Sequence, residues 1–175
     1  MKKTLHVFYL ILFILITNYS QAQNKQQMVQ DWERAKAYTK EYLDAMPENG
    51  YGFRPSPEMK SFAEQMLHFT DANYELASLA AGVKNPLPDG AAFKSADQSK
   101  AATTQMVLAG YDYVIHILQT MTPEQLQDSI TLFGKYEMTK QTLFYKLFEH
   151  QTHHRGQTTV YLHLMHATVP EQKLF

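Results

Sequence analysis

Three of the eight histidines in this 175-residue chain lie within five residues, in the segment HQTHHRGQ that begins at His150. On a helix, His150 and His154 lie one turn apart on the same face. Two imidazoles at this spacing can bind one divalent metal ion. His153 is also within helical reach of that face, and a hydrogen-bonded structural pair is the alternative explanation. The segment therefore raises the hypothesis of a metal site.

The composition of the chain limits which side chains can bind the metal in such a site. The chain has no cysteine, which excludes thiolate ligands, iron–sulfur clusters, disulfides and cysteine nucleophiles. Any metal must therefore be held by histidine, aspartate or glutamate. A third ligand has to come from another part of the chain, and His68 and His116 are the candidates in predicted helices.

Three neutral imidazoles would leave a divalent metal with open positions for water or substrate, as in catalytic sites. The full 2+ charge would lower the pKa of a bound water or thiol towards neutrality. Zinc or nickel suits such a ligand set best, and iron, copper and cobalt are also compatible with it. The sequence identifies no catalytic side chain, so the expected nucleophile is a metal-bound water or thiol.

Hydrophobic residues recur every three or four positions in four segments, a pattern that predicts amphipathic helices. We expect these helices at residues 24–46, 57–81, 94–121 and 139–167. In the last helix, Leu143 and Leu147 share a face with His150 and His154, so the histidine pair should point inwards. Four long helices, each with one apolar face, predict an all-α fold, a four-helix bundle.

Several residues at the helix ends carry structural predictions. Ser56 is expected to cap the second helix, with Pro57 at its first position. Gly82 is expected to end that helix. Thr122 should cap a short helical turn, and residues 128–139 form either an extended loop or a short hairpin around Gly134.

The residues around the histidine pair also have structural interpretations. Arg155 is expected at the surface or in helix packing. Gly156 in a helix interior costs about 1 kcal/mol relative to alanine, so close approach of another helix is the expected compensation. His116 is interpreted as a core or pocket histidine, and His163 and His166 as ordinary polar residues.

Residues 1–22 are predicted to be a Sec-type signal peptide. Lys2 and Lys3 precede an unbroken apolar run at residues 7–16, and Ser20 and Ala22 are small residues suited to cleavage after Ala22. The run is shorter than the roughly 20 residues that span a bilayer, which favours a signal peptide. The alternative is an uncleaved membrane anchor. Cleavage would leave one domain, residues 23–175, in a secreted or periplasmic protein without stable membrane insertion.

The charge of that mature domain argues against one class of partner. Loss of two lysines lowers Lys+Arg from 16 to 14 against 17 Asp+Glu, which gives a net charge of 14 − 17 = −3. Nucleic-acid binding requires a basic surface, so no nucleic-acid partner is expected.

The stretches KSFAEQMLH, which ends at His68, and HQTHHRGQ carry a resemblance to a known family. Together with the tyrosine- and proline-containing turn before the first stretch, they resemble the DinB/YfiT-like superfamily of metal-dependent four-helix proteins. The resemblance implies that His68, His150 and His154 are the metal ligands. It also implies a bundle with a right-handed crossover and a homodimer.

The resemblance covers nearly the whole mature chain and points to a metal-dependent enzyme acting on an unknown small-molecule substrate. Some related members are thiol-dependent transferases and one is a thiol-dependent isomerase, whereas hydrolysis is the reaction that a metal-bound water would support. The predicted export favours the hydrolase, because low-molecular-weight thiols are mainly cytosolic. The alternative is a non-catalytic metal-binding or interaction module.

Overall fold

The computed structural model describes the backbone of residues 2–174 and the side chains of residues 6, 9 and 21–174. Four α-helices and one β-hairpin form this part of the chain. The helices are α1 (Lys2–Ala45), α2 (Phe62–Ala81), α3 (Lys100–Thr120) and α4 (Lys140–Leu164). The strands are β1 (Ser129–Leu132) and β2 (Tyr136–Thr139), and two 3₁₀ turns lie at Glu48–Gly50 and Gln125–Gln127. The prediction of a four-helix bundle is confirmed.

The order of the helices around the bundle differs from their order along the chain. Both α1 and α2 pack against α3 and α4, so α1 and α2 occupy opposite corners. Residues 46–61 make the connection between these two corners. As a result, α4 lies beside α2, and side chains of these two helices can contact each other.

Helix α1 extends further upstream than the helix expected from residue 24. Residues 1–45 contain no glycine and no proline, so nothing interrupts the helix within α1. Lys2, Lys3 and Ser20, on which the signal-peptide prediction rests, have side chains outside those described. The signal peptide therefore stays a prediction. Where side chains are described, no helix is long and apolar enough to cross a membrane.

Helix α2 begins five residues later than predicted. The Ser61 side chain accepts a hydrogen bond from the Glu64 backbone N–H, and the Glu64 carboxylate accepts one from the Ser61 N–H. This reciprocal capping box satisfies two free donors at the helix start. The prediction that Ser56 caps α2 is wrong, since its hydroxyl donates to Glu58 within the preceding turn. Gly82 ends α2 as predicted, at a φ of 69°.

The third helix also begins later than expected, at Lys100 rather than near residue 94, because Ser99 is its cap. The ambiguous segment between α3 and α4 is a hairpin. Its turn places Phe133 and Gly134 at positive φ, 54° and 65°. Helix α4 begins at Lys140, next to the predicted start, and Thr139 caps it by accepting from the Thr142 N–H.

Aromatic side chains join the helices at the centre of the bundle. Trp32 of α1 contacts Tyr111 of α3 and Phe148 of α4 edge to face, with ring centroids 5.7 and 5.5 Å apart. Such pairs add roughly 0.5–1.5 kcal/mol each beyond the burial of area. The core therefore rests on side chains from several helices.

Two glycines in helix interiors have opposite environments. A Cβ added at Gly110 would lie 2.9 Å from Cγ2 of Thr70, whereas one added at Gly156 would meet no heavy atom within 4 Å. Thr70 is held in place because its hydroxyl donates to the Met66 carbonyl at 2.8 Å. Close helix approach therefore occurs at Gly110, between α3 and α2, and the expectation of a close approach at Gly156 is wrong.

We expect Gly110→Ala to destabilise the protein by about 1–2 kcal/mol, because the clash outweighs the gain in helix propensity. Gly156→Ala is the matched control and should stabilise it by up to about 1 kcal/mol, since the added methyl group meets only open space. Urea unfolding followed by circular dichroism measures both. Equal stability of Gly110→Ala and wild type would contradict the close contact with Thr70.

Candidate metal centre

Three histidines from two helices form a cluster in the bundle. His150 and His154 lie one turn apart on α4, and His68 faces them from α2. Each offers a nitrogen atom, and the three nitrogens all lie within 4.8 Å of one another. The ring centroids are 4.5 Å apart for His150 and His154, 4.7 Å for His68 and His154, and 5.3 Å for His68 and His150. The structure thus brings together the three residues that the resemblance implied.

The other histidines discussed above lie outside this cluster. His116, His153, His163 and His166 are all exposed. The interpretation of His116 as a core or pocket histidine is therefore wrong. His153 contacts the Gln157 amide at 2.8 Å, on the outer face of α4.

The spacing of the cluster is suitable for a divalent cation. The Nε2 atoms of His150 and His154 are 3.1 Å apart. Two imidazole nitrogens on one tetrahedral zinc ion, each at about 2.0–2.1 Å, lie about 3.3 Å from each other. The Nδ1 atom of His150 is buried and has no hydrogen-bond partner within the described part of the chain. A cation bound through Nε2 would leave this Nδ1 as the N–H of the ring, so the fit to a cation rests on the Nε2 spacing and not on the unpaired Nδ1.

A glutamine fixes the orientation of one imidazole. Nδ1 of His154 lies 2.7 Å from Oε1 of Gln65, so the ring donates from Nδ1 and leaves the Nε2 lone pair towards the cluster. The Gln65 amide nitrogen donates to the Tyr161 hydroxyl at 3.3 Å. Sequence reasoning missed Gln65, although its position three residues before His68 places both on one face of α2.

Burial keeps the cluster neutral. The pKa of His154 is lowered to about 3, chiefly by desolvation and in smaller part by the nearby charges of His150, His68, His153 and Lys60. The pKa values of His68 and His150 are also lowered, chiefly by burial. Neutral imidazoles have the free lone pairs that metal binding needs. Over the residues described, no carboxylate belongs to the cluster.

We expect Gln65→Leu to weaken metal binding by roughly 10- to 30-fold, because loss of a partner to a ligating histidine frees its ring orientation. Gln65→Glu should retain tight binding, since it keeps an acceptor for Nδ1–H. Competition with a chromogenic chelator measures the affinities. Gln141→Leu, the same change far along α4, serves as control. A wild-type affinity for Gln65→Leu would contradict the orienting role.

Comparisons with known proteins agree with this fold. The sequence profile of the DinB superfamily matches residues 31–158. A DinB-like protein from Bacillus cereus is 20% identical, with a TM-score of 0.73 over 85% of this chain and 97% of that chain. YfiT from Bacillus subtilis, described as a probable metal-dependent hydrolase with an unusual four-helix bundle topology, is 16% identical, with a TM-score of 0.63 over 82% and 89%. A search of curated proteins gave no significant match.

Proposed function

The chain belongs to the DinB superfamily, and we propose that it is an exported metal-dependent hydrolase that acts on a small molecule. His68, His150 and His154 would hold the metal. The observation that carries the proposal is the convergence of three neutral imidazole nitrogens from two helices within 4.8 Å. A divalent cation held there would supply Lewis-acid activation of a water molecule at neutral pH.

The donor set supports a catalytic rather than a structural role for the metal. Structural zinc sites usually have four protein ligands, whereas catalytic ones have three and an open position. Among the described residues, the cluster offers three histidines and no carboxylate as a fourth ligand. The aromatic contacts of Trp32 join α1, α3 and α4 without the cluster histidines, so we expect the bundle to stay folded without the metal.

The choice of hydrolase rests on two supports. One is the likeness of the fold to YfiT, described as a probable metal-dependent hydrolase. The other is the predicted signal peptide, because export separates the protein from the low-molecular-weight thiols that a thiol-dependent transferase would need. Zinc or nickel is the preferred metal on the basis of the imidazole ligands.

The test begins with elemental analysis of the purified domain, residues 23–175, followed by a screen of ester, amide and thiol-dependent substrates. We expect about one divalent metal per chain and hydrolysis that chelation abolishes and metal restores. Helical circular dichroism should be nearly unchanged by chelation. Metal binding without turnover in any substrate class would instead identify a non-catalytic metal-binding module.

Export has its own test. Expression of the full chain in a bacterium with a Sec pathway should yield a protein that begins at Gln23, because cleavage follows Ala22. Amino-terminal sequencing of the exported protein checks this. An exported protein that still begins at Met1 would contradict the cleavage and favour an anchor.

A further inference from the structure

A cleft of about 390 Å³ adjoins the histidine cluster. Its walls come from the segment before α2, from α2 and from α4, and consist of Glu58, Met59, Lys60, Gln65, Gln157 and Val160. Gln65 joins the two features, since the oxygen that receives the His154 hydrogen bond belongs to a side chain of the cleft wall. The volume lies in the range of small-molecule sites.

Lys60 is the cation of this cleft and lies close to the histidines. Its backbone carbonyl accepts a hydrogen bond at 2.7 Å from the Tyr161 hydroxyl, which in turn accepts one from the Gln65 amide. Its Nζ atom is 6.0 Å from the centroid of the Phe93 ring, and the same ring contacts the His68 ring edge on, at 6.3 Å. The Lys60 ammonium group therefore lies near the histidine cluster, which is itself suited to a cation.

No acidic side chain neutralises Lys60 within the part of the chain that the structure describes. Seven other lysines and arginines pair with carboxylates, but Lys60 does not. The Asp71 carboxylate accepts two backbone N–H groups, from Ala92 and Phe93, each at 2.9 Å. Glu58 lies on the exposed side of the cleft and accepts from Ser56.

We propose that Lys60 binds an anionic oxygen group of the substrate, a carboxylate or a phosphate, while the reacting group lies at the histidine cluster. Met59 and Val160 would contact the aliphatic or aromatic part of the same molecule. Lys60 is partly buried and its ammonium group has no carboxylate partner among the described residues, so it can provide such an anion with a charge-assisted hydrogen bond. The identification of the ligand as a substrate rests on the proposed function, whereas the binding of an anion does not.

The experiment measures binding rather than turnover. Phenylacetate and phenyl phosphate are titrated into the metal-free and the zinc-loaded protein by calorimetry, with phenylacetamide as the neutral counterpart of phenylacetate. We expect Lys60→Gln to weaken the binding of at least one anion about tenfold in both forms, with little change for phenylacetamide. The arm that loses more affinity distinguishes carboxylate from phosphate as the preferred group.

Three control variants separate charge from damage to the site. Lys60→Arg should retain anion binding, because it keeps the positive charge. Glu58→Gln, in the same cleft, should not weaken it. Lys84 is an exposed lysine just beyond the other end of α2, a helix about 30 Å long. Lys84→Gln should therefore leave the anion affinity unchanged.

The outcomes divide clearly between this inference and the proposed function. Anion binding that depends on Lys60, without any hydrolysis, supports the inference and rejects the hydrolase. If Lys60→Gln hydrolyses neutral esters as fast as wild type and binds the anions with wild-type affinity, the hydrolase is supported and the inference is rejected. Absence of anion binding by wild type, or equal loss of the anionic and neutral probes in Lys60→Gln, overturns the inference.

Discussion

Alanine at His154 is expected to lower the affinity of the protein for zinc by roughly 100- to 1000-fold. The site offers three nitrogen ligands, and the change removes one of them. Zinc sites with four ligands have binding free energies of about 10–16 kcal/mol, so one ligand contributes about 3 kcal/mol. Alanine at His68 or His150 should have an effect of similar size. Metal content after dialysis, measured by mass spectrometry, checks this result.

The chain provides close controls for this experiment. His153 is adjacent to His154 but exposed, and His116 is an exposed histidine of α3. Alanine at either position should leave the bound metal at the wild-type level. The ligand assignment would be wrong if His68→Ala retained full metal while His116→Ala lost it. Circular dichroism of each variant shows whether a loss of metal reflects unfolding.

Arg155→Met is expected to destabilise the protein by about 3 kcal/mol, which corresponds to a fall of roughly 6–12 °C in Tm. Arg155 is only 5% exposed, so it is a packing residue and not a surface cation. Its guanidinium donates to Gln151 at 3.1 Å and to Thr39 at 3.3 Å, and lies 4.5 Å from the centroid of the Tyr38 ring. Hydrogen bonds from charged groups contribute about 1.5–3 kcal/mol, and a cation on an aromatic face adds to this.

The cost arises because Arg155 belongs to a buried polar cluster that joins α1, α3 and α4. The Tyr111 hydroxyl donates to Gln151 and contacts the Thr39 hydroxyl, each at 2.7 Å. Burial raises the pKa of Tyr111 to about 12, so this hydroxyl remains a hydrogen-bond donor. Without Arg155, the hydroxyl of Thr39 and the carbonyl oxygen of Gln151 would each lose a donor in a water-excluded region.

Thermal unfolding of Arg155→Met and Arg155→Lys tests this account. The lysine variant keeps the charge but lacks the planar fork, so it should be intermediate between methionine and wild type. A methionine variant as stable as wild type would mean that burying the charge costs as much as its hydrogen bonds contribute.

The fold and half of the candidate site could be read from local patterns. The periodicity of hydrophobic residues predicts the four helices, and the spacing of His150 and His154 places both on one face of α4. These features depend only on the geometry of a single helix. The alternative between loop and hairpin at residues 128–139 could not be decided in this way, because strand pairing depends on contacts between two segments.

Errors at helix starts also have a local cause. Ser56 with Pro57 and Ser61 with Glu64 are both typical N-terminal signals, and they lie five residues apart. The Ser61 pair forms a complete capping box, which satisfies two backbone donors. The Ser56 signal offers no such pair, so the helix begins at the later site.

The sequence alone determined the class of fold, the absence of cysteine chemistry and the histidine pair on α4. Only the tertiary structure showed that α2 lies beside α4, which places His68 and Gln65 against that pair and leaves His116 at the surface. It likewise decided that Arg155 is buried and that the helices approach at Gly110 rather than Gly156. The physical reason is that helical periodicity specifies which face of a helix is apolar, whereas the neighbour of that face depends on contacts between distant segments of the chain.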